Sequence, residues 1–536
     1  MAVPAAASVR DANRYRPPEV TGLVDLLDRQ VRERPYARAL VVTGERVQLS
    51  YRALASLADE VAARLGRAGL RRGDAVGLIC ANTAEFVVGL LGAARAGLVT
   101  APLDPALPDS QLASRIAALG ARAVLVDASG VGVGVGVGVG VGKLPVPVWP
   151  LRVDVSRAGT AAVVLAVGVC GTAQVTGAAG ELSDADALVL FTAGTTDRAK
   201  MVPLTHANVA ASLRNICATY ELGPDDATVA VMPFFHGHGL FAALLSSLAS
   251  GGCVLLPERG RFSAGTFWDD MGAVDATWFT AVPAIHEILL DRSEREYPGP
   301  QAPPLKFVRS CSAPLNTATQ RALERTFGAP LLSAYGMTES SHQATSEPLP
   351  QRGTLRQGSV GRPTGVEVRV VDRGGRPCPV GVEGEVWVQG PTVARGYLAD
   401  GDESARTFVD GWLRTGDLGV LDEDGYLSLT GRIKNLINRG GEKISPEHVE
   451  DILAGCPGVA EAAVFAVPDA VYGQRVGAAV VLREPDGLDR EEILRYCRAH
   501  LAPFEVPDHL ELVTALPYTA KGGLDRKAVQ VRYAPP

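Results

Sequence analysis

The chain is 536 residues long, and its 52 basic and 59 acidic side chains give a formal net charge of −7. Hydrophobic residues make up 47% of it and charged residues 21%, a composition typical of a folded globular protein and not of a disordered one. A mildly acidic chain without long runs of lysine or arginine is not expected to bind nucleic acid. At about 150 residues per domain, the length predicts three or four structural units.

No segment of the sequence is typical of secretion, membrane insertion or disulfide cross-linking. The first 18 residues, MAVPAAASVRDANRYRPP, lack the continuous apolar core of a signal peptide. The most apolar stretch, residues 161–170, has about half of the ~20 residues that a membrane-spanning helix needs. The eight cysteines are scattered without a CxxC pair, which favours buried, reduced thiols. We therefore expect a soluble cytoplasmic protein with no membrane partner.

Helical and strand patterns alternate through most of the first 430 residues. Apolar residues have helical spacing over 54–69 and again over 84–96. Short apolar runs at 75–80 and 123–127 predict buried strands. Alternation of this kind is typical of parallel sheets covered by helices.

A strict Gly-Val repeat over residues 130–142 suggests a glycine-rich nucleotide-binding loop at first sight. The dinucleotide-binding fingerprint GxGxxG requires glycine five positions after the first, and here that position is always valine. We therefore interpret the repeat as a low-complexity surface insertion.

The last third of the chain has a different pattern. Strand-like segments at 366–372, 384–388 and 426–430 are separated by Gly/Asp turns, which predicts a smaller and mainly antiparallel unit. After Arg432 the alternation restarts, with helices predicted over 446–454 and 490–500 and strands over 462–467 and 478–482. We therefore predict two domains, 1–432 and 433–536, joined by a hinge near 431–434.

Four short motifs carry the residue types of a nucleotide-binding enzyme. In LVLFTAGTTDRAK (188–200) an apolar strand runs into a Thr/Gly-rich turn that can surround phosphates, although it is not a Walker A loop. AYGMTES (334–340) offers an aromatic ring, a hydroxyl and a carboxylate able to hold Mg²⁺. WLRTGDLG (412–419) and GRIK (431–434) add an Asp and an Arg, and NRGGEKIS (438–445) is a Gly-Gly turn that opens a helix.

Together and in this order, the motifs resemble those of the adenylate-forming superfamily of acyl-CoA synthetases, adenylation domains and luciferases, from about residue 20 to 530. Segments such as FFHGHGLFAALLSSLASGG and RSCSAPL resemble its oxalate–CoA ligase branch most. The resemblance implies an α/β fold of two flavodoxin-like subdomains plus a small β-barrel, with a mobile α+β C-terminal lid domain. It also implies formation of an acyl-AMP from ATP and a carboxylate, followed by transfer of the acyl group to a thiol such as that of CoA.

The resemblance also implies roles for individual residues. Tyr335 would stack on adenine, Glu339 would hold Mg²⁺ and Lys434 would be the hinge residue. The residues expected to bind the nucleotide are Thr192, Gly194, Thr195, Thr196, Ser312, Ala313, Tyr335, Gly336, Thr338, Asp417 and Arg432. The turn of Gly440, Gly441 and Glu442 would admit the pantetheine arm of CoA.

The oxalate-like branch further implies an acid-binding pocket lined by His236, His238, Ser312 and His342. The pair His236-Gly-His238 could also be a metal site, but no cysteine or carboxylate cluster accompanies it. Buried histidines with only a structural role are the other alternative. The acid pocket is favoured because a small dianion needs compact donors close together, and imidazoles leave no room for a fatty tail.

The sequence departs from the superfamily pattern at two catalytic segments. Where the family has TSGTT(G/S)xPKG this chain has TAGTTDRAKM, so Ala193 replaces a serine and Asp197 places a carboxylate beside the phosphates. The family also ends with LPxTxxGK, whose lysine bridges the carboxylate and the α-phosphate, and here that position is Gly523. Lys521 lies two residues earlier, about 6–7 Å along an extended chain, and a shifted loop would return its ammonium to the site.

Three functions are compatible with these observations. The first is an ATP- and Mg²⁺-dependent ligase for a small, oxalate-like acid, with Lys521, Thr338, Glu339 and His236 as catalytic residues and CoA as the acceptor. The second is a diazotase-like enzyme that activates another small oxyanion such as nitrite for N–N bond formation with an amine. The third is a degenerate homologue that binds nucleotide without turnover. Preservation of the motifs around Tyr335, Asp417 and Arg432 argues against the third.

Overall fold

The computed structural model describes residues 15–42, 47–127, 144–155, 161–167, 178–192, 199–484, 487–518 and 523–535. The Gly-Val repeat, most of the Thr/Gly-rich turn and Lys521 lie outside these ranges. Among the described residues no helix is long and apolar enough to cross a membrane.

A seven-stranded sheet forms the first layer of the large N-terminal domain. Its order is β7-β6-β5-β3-β4-β8-β9, and the strands from β6 to β8 run parallel. The buried strands are continuous apolar runs, as expected of strands covered on both faces. The strands are β3 Ala75–Ile79, β4 Val99–Pro102, β5 Ala123–Asp127, β6 Val148–Val155, β7 Ala161–Leu165, β8 Asp186–Thr192 and β9 Lys200–Thr205.

Two further sheets form the second part of the N-terminal domain. One contains β1 Arg38–Val42, β2 Val47–Ser50, β10 Ala227–Val229 and β11 Cys253–Leu256, in the order β10-β11-β1-β2. The other, in the order β12 to β16, contains β12 Trp278–Ala281, β13 Phe307–Ser310, β14 Leu331–Tyr335, β15 Thr345–Ser346 and β16 Arg362–Pro363.

The predicted antiparallel unit follows as a five-stranded sheet. Its strands are β17 Glu367–Val371, β18 Gly384–Gln389, β19 Phe408–Val409, β20 Trp412–Leu421 and β21 Leu427–Arg432. β20 is the central strand, since it pairs with β18, β19 and β21. The pairing of β20 with β21 brings Asp417 opposite Arg432.

The C-terminal domain is a separate sheet with helices. Its strands are β22 Ile437–Arg439, β23 Glu442–Ile444, β24 Val459–Asp469, β25 Gly473–Leu482 and β26 His509–Val513. A buried cluster of mainly aliphatic residues forms its core. The boundary predicted after Arg432 stays a prediction; in the structure it falls between β21 of one sheet and β22 of the next.

Side-chain caps account for where several helices begin. Ser50 accepts from the Ala53 amide at the start of one helix, and Thr205 and Asn208 form a reciprocal capping box at another. The helices are α1 Asp28–Glu33, α2 Tyr51–Arg67, α3 Ala84–Arg95, α4 Asp109–Leu119, α5 His206–Tyr220, α6 Ser246–Ser250, α7 Ala264–Ala273, α8 Pro283–Asp291, α9 Ser293–Glu296, α10 Thr317–Phe327, α11 Gly401–Thr407, α12 Pro446–Ala454, α13 Arg490–His500 and α14 Arg526–Tyr533.

Candidate active site

A cavity of about 3290 Å³ lies between the N-terminal domain and the C-terminal domain. Loops after the strands of the second part of the N-terminal domain line one wall, and residues of β21, α12 and β24 line the other. Of the predicted site residues, those on its surface are Ser312, Ala313, Tyr335, Gly336, Asp417, Arg432 and Lys434. Ligand sites form most often at the carboxyl ends of the strands in a parallel sheet and at interfaces between domains.

One wall of the cavity carries an aromatic ring, a carboxylate and a guanidinium in direct contact. The Tyr335 hydroxyl, at the end of β14, donates to Asp417 Oδ2 at 2.6 Å. Arg432 Nε lies 2.5 Å from Asp417 Oδ1, and the Asp417 side chain is 3% exposed while that of Arg432 is 47% exposed. Burial and the neighbouring Asp417 raise the pKa of Tyr335. The phenol therefore stays protonated, and the group offers a fixed acceptor with a cation at the cavity surface.

Glu339 lies on the connection after β14, in the short helical turn Thr338–Ser340. Its carboxyl is almost completely buried, and Tyr397 Oη donates to Glu339 Oε1 at 2.8 Å. Burial raises the pKa of Glu339, although the Tyr397 hydrogen bond and Lys200 oppose that effect. Lys200 lies 4.7 Å from the Tyr397 ring centre and forms an ion pair with Glu403. A buried carboxylate with one hydroxyl partner is suited to receive a cation.

The predicted phosphate-binding residues are only partly described. Thr192 is the last residue of β8 and Thr338 is half-buried beside Glu339, whereas Gly194, Thr195 and Thr196 lie outside the described residues. Gly336 follows Tyr335 directly, and this position requires glycine because a Cβ would overlap the His342 carbonyl oxygen. Only glycine lets the segment after Tyr335 run this close to residue 342.

The predicted acid-binding residues separate into one exposed and three more buried side chains. Ser312 is exposed to the cavity, in a left-handed conformation with φ of 76°. His238 and His342 lie behind it, 4% and 6% exposed, with their rings stacked at 5.3 Å. His236 is half-buried and packs against Phe235. Burial first, and then Arg309, lower the pKa of both His238 and His342, so both imidazoles are neutral.

Sequence reasoning did not find Arg309, which the structure places at the centre of this cluster. Its guanidinium is fully buried on β13 and donates to Tyr220, Thr280, His342 and Gln343. A signal was present in the segment RSCSAPL, where an arginine precedes a serine in a run that is otherwise apolar or small. Its partners, however, come from three separate segments of the chain, which no local pattern connects.

The metal alternative for the histidine pair has no structural support. Among the described residues no group of three or more His, Cys, Asp or Glu side chains could hold a metal ion. His238 instead contacts two hydroxyls, with Nδ1 3.1 Å from Ser312 Oγ and Nε2 2.6 Å from Thr280 Oγ1. The described cysteines form no disulfide, and all of them except Cys378 are buried.

The predicted hinge and the predicted CoA turn lie close together in the chain, after β21. Lys434 lies in a short helical turn directly after β21. Burial lowers its pKa, and so does the neighbouring Arg432. The predicted CoA turn is a tight one, since Gly440 and Gly441 have φ of 60° and 103°, and the Gly440 amide donates to the Tyr472 carbonyl at 2.8 Å. Gly523, at the family's lysine position, lines the cavity.

Comparison with known proteins agrees with this geometry. The AMP-binding enzyme family matches residues 27–398, and the AMP-binding enzyme C-terminal domain matches residues 448–522. The chain is 41% identical to an oxalate–CoA ligase of Arabidopsis thaliana over 511 residues, 95% of this chain and 98% of the relative. It is 36% identical to a sulfoacetate–CoA ligase of Cupriavidus necator over 484 residues, covering 89% and 91% of the two chains.

Solved structures share this fold over nearly the whole chain. ATP-bound MatB from Rhodopseudomonas palustris superimposes with a TM-score of 0.83 at 29% identity, covering 96% of this chain and 99% of that one. The same enzyme without ligand gives a TM-score of 0.74 over the same coverage. The chain belongs to the AMP-binding enzyme family. Within it, the protein is an ATP-dependent, AMP-forming ligase of the acid–CoA type.

Proposed function

We propose that the protein activates oxalate, or a small acid of similar size and charge, as an acyl-adenylate and transfers the acyl group to CoA. The observation that carries this proposal is the Ser312–His238–Arg309 cluster, which places compact hydrogen-bond donors and one buried cation beside the nucleotide residues. Two relatives support it, because oxalate and sulfoacetate are both small acids with two anionic groups. We expect these compact polar side chains to disfavour a fatty tail.

The nucleotide would be held by the residues that the sequence singled out. Tyr335 would stack on adenine, and Asp417 with Arg432 would bind the ribose hydroxyls, since a carboxylate can accept both of them. Thr192, Thr338 and the turn of Gly194, Thr195 and Thr196 would bind the phosphates through hydroxyls and amides. The large cavity accommodates a nucleotide together with a second substrate.

Mg²⁺ would be held by Glu339. Magnesium in nucleotide sites is bound through one or two carboxylates plus substrate phosphates. A single buried carboxylate, whose pKa burial raises, fits that donor set. The ion would neutralise phosphate charge, and Tyr397 would keep the Glu339 carboxylate oriented toward it.

CoA is the acceptor that the comparisons support, and the turn at Gly440 and Gly441 would admit its pantetheine arm. The alternative of a nitrite-activating enzyme with an amine acceptor receives no support from these relatives. We also infer a cytoplasmic location from the reduced, buried cysteines.

The proposal is tested by measuring pyrophosphate and AMP release with ATP and Mg²⁺ against a panel of oxalate, malonate, acetate and nitrite. We expect oxalate to give AMP and, with CoA present, an oxalyl thioester detected by mass spectrometry. Hexanoate serves as the control for a longer tail and should give no product. AMP formation that requires nitrite and an amine, or no AMP from any acid, would contradict the proposal.

A further inference from the structure

Arg309 is a buried cation whose four partners all lack a formal charge. Its Nε donates to Tyr220 Oη at 2.7 Å and Nη1 donates to Thr280 Oγ1 at 3.1 Å. Its Nη2 is shared between His342 Nε2 at 3.0 Å and Gln343 Oε1 at 3.1 Å. Among the described residues no carboxylate forms an ion pair with it. Fully buried charges in proteins are nearly always paired, so Arg309 is unusual.

The charge of Arg309 is not neutralised by its neighbours. Burial lowers the pKa of Arg309, but the neighbouring Tyr220 and Cys311 raise it by more. The net shift is upward, so the guanidinium stays charged. Burial raises the pKa of Tyr220, so its phenol stays neutral. The cluster behind Ser312 therefore holds one net positive charge in the absence of substrate.

The donors and acceptors of this cluster fix the direction of one chain of hydrogen bonds. A guanidinium only donates, so Thr280 Oγ1 accepts from Arg309 and its own proton is available to His238 Nε2, 2.6 Å away. Neutral His238 then carries its proton on Nδ1, which faces Ser312 Oγ at 3.1 Å. Ser312 Oγ is thus an acceptor toward His238, and its own proton is left to point into the cavity.

The second branch reaches His342 in the same way. Because Arg309 Nη2 donates to His342 Nε2, the proton of this neutral imidazole resides on Nδ1. Polarisation by one cation strengthens both branches, since successive hydrogen bonds in a low-dielectric interior reinforce one another.

We propose that Arg309 is a positioning residue for the acid substrate: through Thr280 and His238 it holds Ser312 as a donor toward the cavity, and its unpaired charge selects acids with two negative charges. One carboxylate of such an acid reacts with ATP, and the second anionic group accepts from Ser312 and compensates the buried cation. An acid with one charge leaves the cation unpaired, which is costly in a desolvated site. This inference rests on the proposed function, since it concerns the acid site of the same enzyme.

The test compares oxalate with oxamate, a monoanion of nearly the same shape. In the unaltered enzyme we expect a strong preference for oxalate in kcat/KM. Thr280→Val breaks the chain without removing the charge, and it should raise KM for oxalate by roughly tenfold while KM for ATP stays unchanged, because one hydrogen bond to a charged network is lost. Arg309→Met should lower kcat/KM for oxalate by at least about 100-fold and change that for oxamate by less than about threefold.

Two further variants separate positioning from mere folding. Arg309→Lys keeps the charge and should restore part of the preference for oxalate over oxamate, whereas loss of packing would affect both acids equally. Thr228→Val is the matched control, since Thr228 is also fully buried and no described residue bonds its hydroxyl. The inference would be overturned if Thr280→Val and Arg309→Met are active and keep the oxalate-to-oxamate ratio of kcat/KM that the unaltered enzyme has. Failure of the unaltered enzyme to use oxalate would instead overturn the proposed function.

Discussion

At the residue scale, the sequence singles out Tyr335, Asp417 and Arg432, which lie together, whereas it misses the buried arginine beside the predicted acid-binding residues. Tyr335, Asp417 and Arg432 lie in motifs with a recognisable local order, and the structure brings all three together. The order of the motifs is enough to predict that Asp417 and Arg432 lie close together, because the two residues pair across the hairpin of β20 and β21. Arg309 could not be predicted, because its role depends on Tyr220, Thr280 and His342, which only the tertiary fold assembles.

The displaced lysine is the residue whose role can be tested most directly. Gly523 occupies the family's lysine position at the cavity, and Lys521 is outside the described residues. If Lys521 supplies the missing ammonium, Lys521→Ala should lower acid-dependent ATP–pyrophosphate exchange by about 100-fold or more, because a charge at the transition state is lost. Thioester formation from a supplied acyl-adenylate should be affected much less.

Two companion variants sharpen that measurement. Lys306→Ala is the control, since Lys306 lies away from the cavity, forms an ion pair with Asp226 and should leave the exchange rate unchanged. Adding Gly523→Lys to Lys521→Ala restores a lysine at the family's position and should recover exchange. Full activity in Lys521→Ala would show that another cation performs this role.

At the scale of elements, the helices and strands that periodicity predicted are present, and most of their ends agree to within a few residues. The helix expected over 84–96 is α3, Ala84–Arg95, and the strand expected over 123–127 is β5. Many other elements were not predicted; among them is β9, which follows the Thr/Gly-rich turn after β8. The π-helix His238–Leu245 was also missed, since its apolar residues fit any buried helical segment.

Glu85, at the start of α3, makes the stability of the N-terminal domain depend on pH. Its carboxyl is 4% exposed and accepts from the Val153 amide at 2.9 Å. Burial, and next Asp127, raise its pKa to about 7. The folded form therefore binds the proton more tightly than the unfolded form, and stability declines as pH rises from about 4.5 to about 7.

Glu85→Gln keeps the acceptor for Val153 and removes the ionisation. We expect the variant to be more stable than the unaltered protein at pH 8, by up to about 3 kcal/mol, and nearly equal to it at pH 4. Thermal unfolding midpoints at the two pH values measure the difference. Glu258→Gln, at an exposed carboxylate, should show no such dependence. Equal effects of Glu85→Gln at both pH values would exclude this explanation.

At the scale of the whole molecule, the chain superimposes better on ATP-bound MatB, with a TM-score of 0.83, than on the same enzyme without ligand, with a TM-score of 0.74. Across the predicted domain boundary, Ser445 at the start of α12 donates to the Thr430 carbonyl at 2.6 Å. Interfaces between domains of one chain commonly permit relative movement of the domains.

Gly431 lies under this contact, where a Cβ would approach Ser445 Oγ to 2.5 Å. Gly431→Ala should therefore weaken this domain arrangement and slow adenylate formation from ATP more than thioester formation from a supplied adenylate. Single-turnover rates of the two half-reactions measure the split. Gly401→Ala, where a Cβ meets nothing within 4 Å, is the matched control. An equal loss in both half-reactions would indicate general destabilisation.

The connection between β14 and β15 joins the proposed nucleotide and acid regions covalently. Tyr335 lies at its start, Glu339 in its middle and His342 near its end, and Gly336 runs against the His342 carbonyl. If ATP and the acid bind as proposed, a shift of this segment by one ligand would move residues near the other. We therefore expect the two occupancies to be thermodynamically coupled, and reciprocity then requires each ligand to change the affinity for the other by the same factor.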